Sequence, residues 1–423
     1  MTPSSGGTTP FSGGVTPFST VDELGCYFDS PAEPNNIHFE LHLSGHLDPA
    51  RLRTAVLDTL AAYPAARARR GRWHAWDRRL HWEIAERPDV SPVEVVHWRD
   101  PDELAGQRER LLAAAPPLDL APPLRVRHAV GTDWDALLVN VHHAAMDGLS
   151  GLRLLRSIAR RYTGGPDPVD ARPVGVRAAA HGHARSLRPA VRIAPDGGRP
   201  APGCGFHLLS LPIDDVHSGR TTVNDVLVAA LVVAVGEWNR AHGAGAGSVR
   251  VTMPVDARVH GQQVGNLSRL TVIAGEPGLG AARLLADVAR QTAAAKMSVG
   301  PQVDPLTGLL AAPWLPVAVK ARLPALALRL AGGASDTTLL SNLGRVGDPP
   351  DFGAATTATG LWMSSPVRMP RGVSVGTVTV RDRLHVCFRY RKALFDRSAA
   401  ARFADTFVAA LHSFDDPRFG SRT

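Results

Sequence analysis

The chain has 423 residues, 44% hydrophobic and 20% charged, which is a globular composition long enough for two cores. The formal net charge is +8, but the basic residues are mostly Arg scattered among Ala, Gly and Pro. No Lys/Arg run reaches five and the aromatics do not interleave with basic residues, so no nucleic-acid partner is expected. The basic balance reads as an Arg-rich composition, or as a surface attracting an anionic substrate carrier. Three cysteines (Cys26, Cys204 and Cys387) lie far apart without CxxC or Cys/His metal spacing. Neither a disulfide framework nor a metal site is expected, and a reducing cytoplasm suits the pattern.

Residues 1–17 are rich in Gly, Ser, Thr and Pro, with Thr9-Pro10-Phe11-Ser12 echoed by Thr16-Pro17-Phe18-Ser19. They lack a basic start and an apolar core, so they read as a flexible tail rather than a signal peptide. Residues 37–43 alternate apolar and polar side chains, which predicts a strand with one buried face. Asp48 and Pro49 open a helix over 47–62, with Leu52, Val56, Leu57 and Leu60 on its apolar face. Residues 104–115 read as a helix. Residues 124–130 and 134–141 read as strands joined by a turn at Gly131-Thr132-Asp133. After the second strand come His142-His143-Ala144-Ala145-Met146-Asp147-Gly148, and then Leu149, Leu152, Leu155 and Ile158 at helical spacing up to about Gly164.

Residues 164–205 are rich in Pro, Gly and Arg and read as the linker between halves. His181-Gly182-His183 within them reads as an exposed loop, since no further metal ligand lies nearby. A strand follows near 206–211. Thr222 with Asp225 then has the look of a capping box opening a helix to about Ala241. Its run over 226–235 is the longest apolar stretch and is too short to span a membrane. Strands near 248–254 and 268–274, a helix over 280–297, and Pro-interrupted helices over 301–334 come next. Four strands near 337–342, 358–364, 373–380 and 384–390 precede a last helix after Asp396, carrying Phe403, Phe407, Leu411 and Phe414. The fold class is therefore α/β (mixed α+β), with halves at 18–163 and 206–423.

Residues 142–148 form the motif most able to carry chemistry. Two histidines stand at a strand end, and an Asp-Gly precedes a helix. An imidazole titrates near working pH and suits proton transfer. Asp147 lies too near in sequence to be its simple orienting partner and can lock the loop through an Arg. Gly148 permits a tight or positive-φ turn. Other matches are weaker. Gly372-Val373-Ser374-Val375-Gly376 fits G-x-S-x-G but lies in a Val-rich strand, not in the strand-to-helix turn a nucleophile needs. Gly243-Ala244-Gly245-Ala246-Gly247 is a turn, and Asp351-Phe352-Gly353 stands without other kinase features. Trp362 with Met363 reads as core packing or as the lining of a substrate channel.

The pattern HHxxxDG resembles the signature of the acyltransferase superfamily that uses acyl-CoA or carrier-protein thioesters. That superfamily includes condensation domains of nonribosomal peptide synthetases and stand-alone relatives that acylate natural products. The resemblance runs from about residue 19 to 414. It includes the helix from Leu52-Arg53-Thr54-Ala55 to Tyr63-Pro64 and the segment Thr221-Thr222-Val223-Asn224-Asp225-Val226-Leu227. Pro254-Val255-Asp256-Ala257-Arg258, Gly265-Asn266-Leu267-Ser268 and Leu340-Ser341-Asn342-Leu343-Gly344 also resemble family segments.

The resemblance implies a V-shaped pseudo-dimer of two chloramphenicol-acetyltransferase-like halves around a central channel. Donor thioester and acceptor would enter from opposite ends. It implies that His143 acts on the acceptor nucleophile and that Gly148 lends its N–H to the reacting centre. His142, Asp147 and Arg258 would be structural, with Asp147 paired to Arg258. Asn266, Ser341, Asn342 and Trp362 are the candidates for lining the channel. No bound cofactor is expected. The donor would be acyl-CoA or an acyl-phosphopantetheinyl carrier protein, the partner a small-molecule acceptor, and the protein a monomer. The implied function is acyl transfer to a hydroxyl or amine of a natural product, forming an ester or amide. A cyclase or other non-transfer enzyme, or a non-catalytic carrier-protein recruiter, is the alternative. Wax-ester and diacylglycerol synthases share the motif but usually carry Pro-Gly-Pro where Ser341-Asn342-Leu343-Gly344-Arg345 stands here.

Overall fold

The structure is a computed structural model describing residues 15–169, 190–216, 221–245, 247–258, 264–297, 305–331, 336–347, 349–354 and 356–414. Most of the expected tail, the middle of the expected linker and His181-Gly182-His183 lie outside these residues.

The first half carries β1 (Thr16–Pro17), α1 (Thr20–Tyr27), β2 (Asn36–Leu43), α2 (Pro49–Ala62), β3 (Ala68–Arg70), β4 (His81–Ile84) and β5 (Val93–His97). It continues with α3 (Pro101–Leu112), β6 (Leu124–Val130), β7 (Asp135–His142) and α4 (Gly148–Thr163). The second carries β8 (Cys204–Pro212), α5 (Val223–Ala241), β9 (Val249–Asp256), β10 (Ser268–Gly275) and α6 (Ala281–Met297). After these come α7 (Pro305–Ala311), α8 (Val317–Lys320), α9 (Leu323–Ala331), β11 (Thr338–Val346), β12 (Ala358–Ser364), β13 (Val373–Val380), β14 (Arg383–Arg391) and α10 (Arg397–Ser413).

The helix starts follow local chemistry. Asp48 accepts from the Arg51 N–H, and Asp396 from that of Ala399. Thr222 and Asp225 cap α5 reciprocally, as the sequence predicts. The helix read from residue 104 begins earlier, at Pro101, because Asp100 accepts from the N–H groups of both Asp102 and Glu103. A stretch without a sequence signal is ordered. Thr16–Pro17, placed in the tail by composition, pair with β4. Beside them Phe18 is fully buried and stacks on Trp82 with ring centroids 3.9 Å apart, which ties this segment down.

Among the described residues three sheets result, in the orders β1-β4-β3, β12-β2-β7-β6-β5 and β10-β9-β11-β13-β14-β8. One core packs Phe39, Leu41, Leu52, Val56, Leu152 and Leu155 between the five-stranded sheet and α2 and α4. A second packs α5 and α10 on the six-stranded sheet through Leu227, Leu231, Phe388, Phe403 and Phe407.

Two expectations change. The stretch 206–423 does not build only its own half. β12 leaves it and pairs antiparallel with β2, setting Trp362 opposite Glu40 and Met363 opposite Phe39. And β2 is buried on both faces rather than one. Its apolar face meets α4, where Gly151 leaves room for the Phe39 ring. Its polar face is closed by α3 and by β14. Glu40 accepts from Arg108 through Nε and, at 2.6 Å, Nη2, while Arg389 donates to the Asn36 backbone and side-chain oxygens at 2.9 and 2.7 Å. The alternation separates the faces correctly, but both are interior because α3 and the second half lie over the polar one.

β12 crosses β13 closely. A Cβ on Gly376 would overlap the carbonyl oxygen of Met363. That neighbour is backbone, so it cannot swing aside. Gly376→Ala is expected to destabilise the protein at or beyond the upper end of the about 1–3 kcal/mol typical of overpacking, as read by urea unfolding. A midpoint equal to that of the parent would show that the crossing is looser than described.

Candidate active site

β7 is buried along its whole length and ends at His142, 1% exposed. The His142 ring accepts at Nδ1 from the Ala144 N–H (3.0 Å), so its proton lies on Nε2, 3.7 Å from Asp29 Oδ2. This histidine is spent on holding the loop. Asp29 also accepts from the Asn35 N–H at 2.8 Å. Its carboxyl is subject to burial, which alone would raise its pKa. The neighbouring His142 ring and the hydrogen bond from Asn35 outweigh burial and hold it below the ordinary value.

His143 is fixed from three sides. Its N–H donates to the Asn35 carbonyl at 2.9 Å, and its carbonyl accepts from Asn266 Nδ2 at 2.9 Å. Its Nδ1 lies 3.3 Å from the Met146 carbonyl oxygen. A carbonyl can only accept, so Nδ1 carries the proton and Nε2 holds the lone pair. Burial lowers the His143 pKa, and the charge of Asp147 offsets only part of that. The ring is therefore a neutral base at neutral pH, in the tautomer that a proton acceptor at Nε2 requires.

Asp147 faces away from this role. It caps α4 by accepting from the Ser150 N–H (3.0 Å) and receives Arg258 Nη2 at 2.6 Å on the same oxygen. Its other oxygen accepts from the Leu267 N–H (2.8 Å) and the Ser268 hydroxyl (3.1 Å). Burial would raise its pKa, but the Arg258 charge and these hydrogen bonds hold it below the ordinary carboxylate value. Arg258 also donates to Ser150 Oγ (2.7 Å) and to Asp256 (2.9 Å), and Ser150 Oγ donates to the Gly265 carbonyl (2.7 Å). The motif of the first half is thus clamped to Arg258 and to residues 265–268 of the second.

Gly148 is the first residue of α4, with ordinary helical backbone rather than the positive-φ turn the sequence permits. Its glycine is explained by space. A Cβ there would stand 3.0 Å from Leu343 Cδ2 and 4.0 Å from Met363 Cε. As first helical residue its N–H belongs to the unpaired set at a helix start, which can face a ligand.

Of the other candidates, Asn266 touches the motif directly. Asn342 accepts from the Gly344 N–H (2.8 Å) and approaches Asn224 at the start of α5 (3.4 Å). Ser341 is buried in β11 opposite Gly376. Trp362 is not brought to the motif. Its Nε1 donates to the Leu209 carbonyl (2.9 Å), and its ring lies 4.7 Å from that of His42 and 4.8 Å from that of His385. Successive strand residues face opposite ways, so it is Met363, with Leu343, that approaches Gly148. Gly372-Val373-Ser374-Val375-Gly376 runs into β13, where the buried Ser374 hydroxyl donates to the Ser365 carbonyl, so it forms no nucleophile turn.

Sequence reasoning missed Asp29, Asn35 and Ser150. Ser150 had a signal, three residues after a capping Asp. Asp29 and Asn35 had none, because only the pairing of Asn36 with His142 brings them to the motif.

No family model matches the sequence. Solved structures share its architecture over nearly the whole chain. A starter condensation domain of rhizomide synthetase, solved with C8-CoA, has a TM-score of 0.66 at 14% identity, covering 96% of this chain and 95% of that one. The first condensation domain of the calcium-dependent antibiotic synthetase has a TM-score of 0.64 at 18% identity, over 94% and 96%. The epimerization domain from the third module of tyrocidine synthetase B has a TM-score of 0.62 at 12% identity, over 99% of each chain. The protein has the condensation-domain fold. The uncharacterized protein Rv2305 of Mycobacterium tuberculosis is 33% identical over 429 residues, spanning 93% of this chain and 98% of its own. The chain belongs to the family of that mycobacterial protein.

Proposed function

We propose that the protein is an acyltransferase moving an acyl group from a CoA or carrier-protein thioester to a hydroxyl or amine of a natural-product acceptor. The observation that carries this reading is the His143 ring, held neutral with its proton on Nδ1 against the Met146 carbonyl. The acceptor O–H or N–H would give its proton to Nε2 as its lone pair attacks the thioester carbonyl. The carbon–sulfur bond then breaks. The thiolate leaves and takes up the proton from the imidazolium, so the products are an ester or amide and a free thiol. The Gly148 N–H is the donor proposed for the oxyanion formed on attack. Asn266 and Asn35 hold the His143 backbone, and positioning of the two substrates supplies the remaining rate. A relative in fold was solved with C8-CoA, which supports a CoA-linked acyl donor.

The test is thiol release by the purified chain from a panel of acyl-CoAs and acyl-carrier thioesters, with candidate acceptors and mass spectrometry of the product. Acceptor-dependent thiol release with a mass gain of one acyl unit is expected. A product of unchanged mass and no thiol release overturns the reading. That outcome would favour a cyclase or other non-transfer reaction in the same site. This second reading is supported by the fold shared with an epimerization domain.

The pH profile follows from the sign of the His143 shift. Burial lowers its pKa, so the active neutral form persists to lower pH than an ordinary imidazole allows. The acid limb of kcat/KM is expected below about 6.5, the unperturbed value. A limb at or above that value would move the base role to another group.

A further inference from the structure

Away from the motif, two turns are stitched together at the surface. Residues 71–80 link β3 to β4, and residues 312–322 contain α8 and its flanks. The Val317 N–H donates to the Asp77 carbonyl (2.7 Å) and the Ala318 N–H to the Ala75 carbonyl (3.2 Å). Lys320 is wholly buried beneath them, donating to the Arg78 carbonyl (2.8 Å) and lying 3.7 Å from Glu23. That buried anchor fixes the outward side of the pair. Outward stand Trp76, 84% exposed, Trp314, 65% exposed, and Val319, 43% exposed. Neither indole stacks on another ring among the described residues. Arg72, Arg78 and Arg322 are exposed on the same two segments, where Asp77 is the one acid and is engaged by the His74 N–H (2.7 Å).

Large indoles are costly to leave in water, and a soluble surface rarely places them on turn tips without a partner. An indole is apolar in body with one polar edge, and it partitions to the headgroup level of a bilayer. Exposed arginines around it are drawn to anionic lipid. Short turns can reach the headgroup layer without the shape complementarity that a protein partner would demand. No helix of the described residues is long and apolar enough to cross a membrane, so the contact would be peripheral. We propose that the paired turns 71–80 and 312–322 dock the protein on an anionic lipid surface through Trp76 and Trp314, with Arg72, Arg78 and Arg322 supplying the attraction. This does not depend on the acyl-transfer reading.

The experiment is flotation of the full chain with vesicles of phosphatidylcholine alone or with about one-third phosphatidylglycerol, at low and high salt. The protein is expected to float with the anionic vesicles, less so at high salt. Trp76→Ser with Trp314→Ser should weaken that binding at least about tenfold, with an unchanged melting temperature. Arg72→Ser with Arg78→Ser and Arg322→Ser, a separate variant that keeps both indoles, should also weaken it and remove the salt dependence. No binding of the parent to anionic vesicles overturns the proposal, as does binding that neither variant alters. A change of oligomeric state in the tryptophan variant, with no vesicle binding by the parent, overturns it in favour of a second copy of the chain on this surface.

Discussion

His143→Ala leaves a folded protein that has lost most of its turnover. The expected fall in kcat/KM is about 10²–10⁴-fold, the range that a positioned general base contributes. The fold should survive because the ring makes a single hydrogen bond, to the Met146 carbonyl, while the loop is held by other groups. Those groups are the His143 backbone on Asn35 and Asn266, His142 on Ala144, and Asp147 on Arg258. Losing one hydrogen bond costs about 1 kcal/mol, a small change in the melting temperature of a chain this long. Thiol release and thermal melting check both halves of the statement. In producer cultures the variant should accumulate a metabolite lighter by one acyl unit. Near-normal turnover with an intact fold would remove His143 from the chemistry.

The second large effect falls on stability. Asp147 and Arg258 are both within a few per cent of complete burial, and each also bonds the other half of the molecule, Asp147 through the Leu267 N–H and Arg258 through Ser150 Oγ. Asp147→Ala strands the guanidinium, and Arg258→Ala strands the carboxylate. Breaking a buried pair from one side typically costs about 3–5 kcal/mol. Asp147→Ala also removes the cap of α4, worth about 0.5–2 kcal/mol. Both single variants should unfold at markedly lower urea. The double variant should cost less than the sum, since no charge is left unpaired. If Asp147→Ala melted with the parent yet lost its activity, Asp147 would belong to the chemistry rather than to the clamp.

Much of the site was legible because its signals are local. Two histidines at the end of an apolar strand, an Asp capping an amphipathic helix and a Gly at its first position lie within seven consecutive residues. The pairing of Asp147 with Arg258, 111 residues apart, was expected from the family resemblance and not from spacing. Trp362 was a reasonable candidate by type, being a large aromatic in an apolar strand. Its strand turns it toward His42 and His385, and the neighbouring Met363 takes the place beside Gly148. A one-residue phase in a strand decides which side chain faces a site, and sequence alone carries no mark of the phase when both faces are buried.

By itself the sequence determined where most of the strands and helices run, though not α1 or the short strands β1, β3, β4 and β5, and it determined where α2, α5 and α10 begin and which segment carries the imidazoles. Those features depend on periodicity and on capping groups within a few residues of one another. Only the tertiary structure decided that β12 leaves its own half to join β2, that Asp29 and Asn35 stand behind the histidines, and that the polar face of β2 is interior. Strand pairing over such separations rests on backbone hydrogen bonds that every residue can offer. Its partners are selected by how whole faces pack, and no short stretch of sequence records that choice.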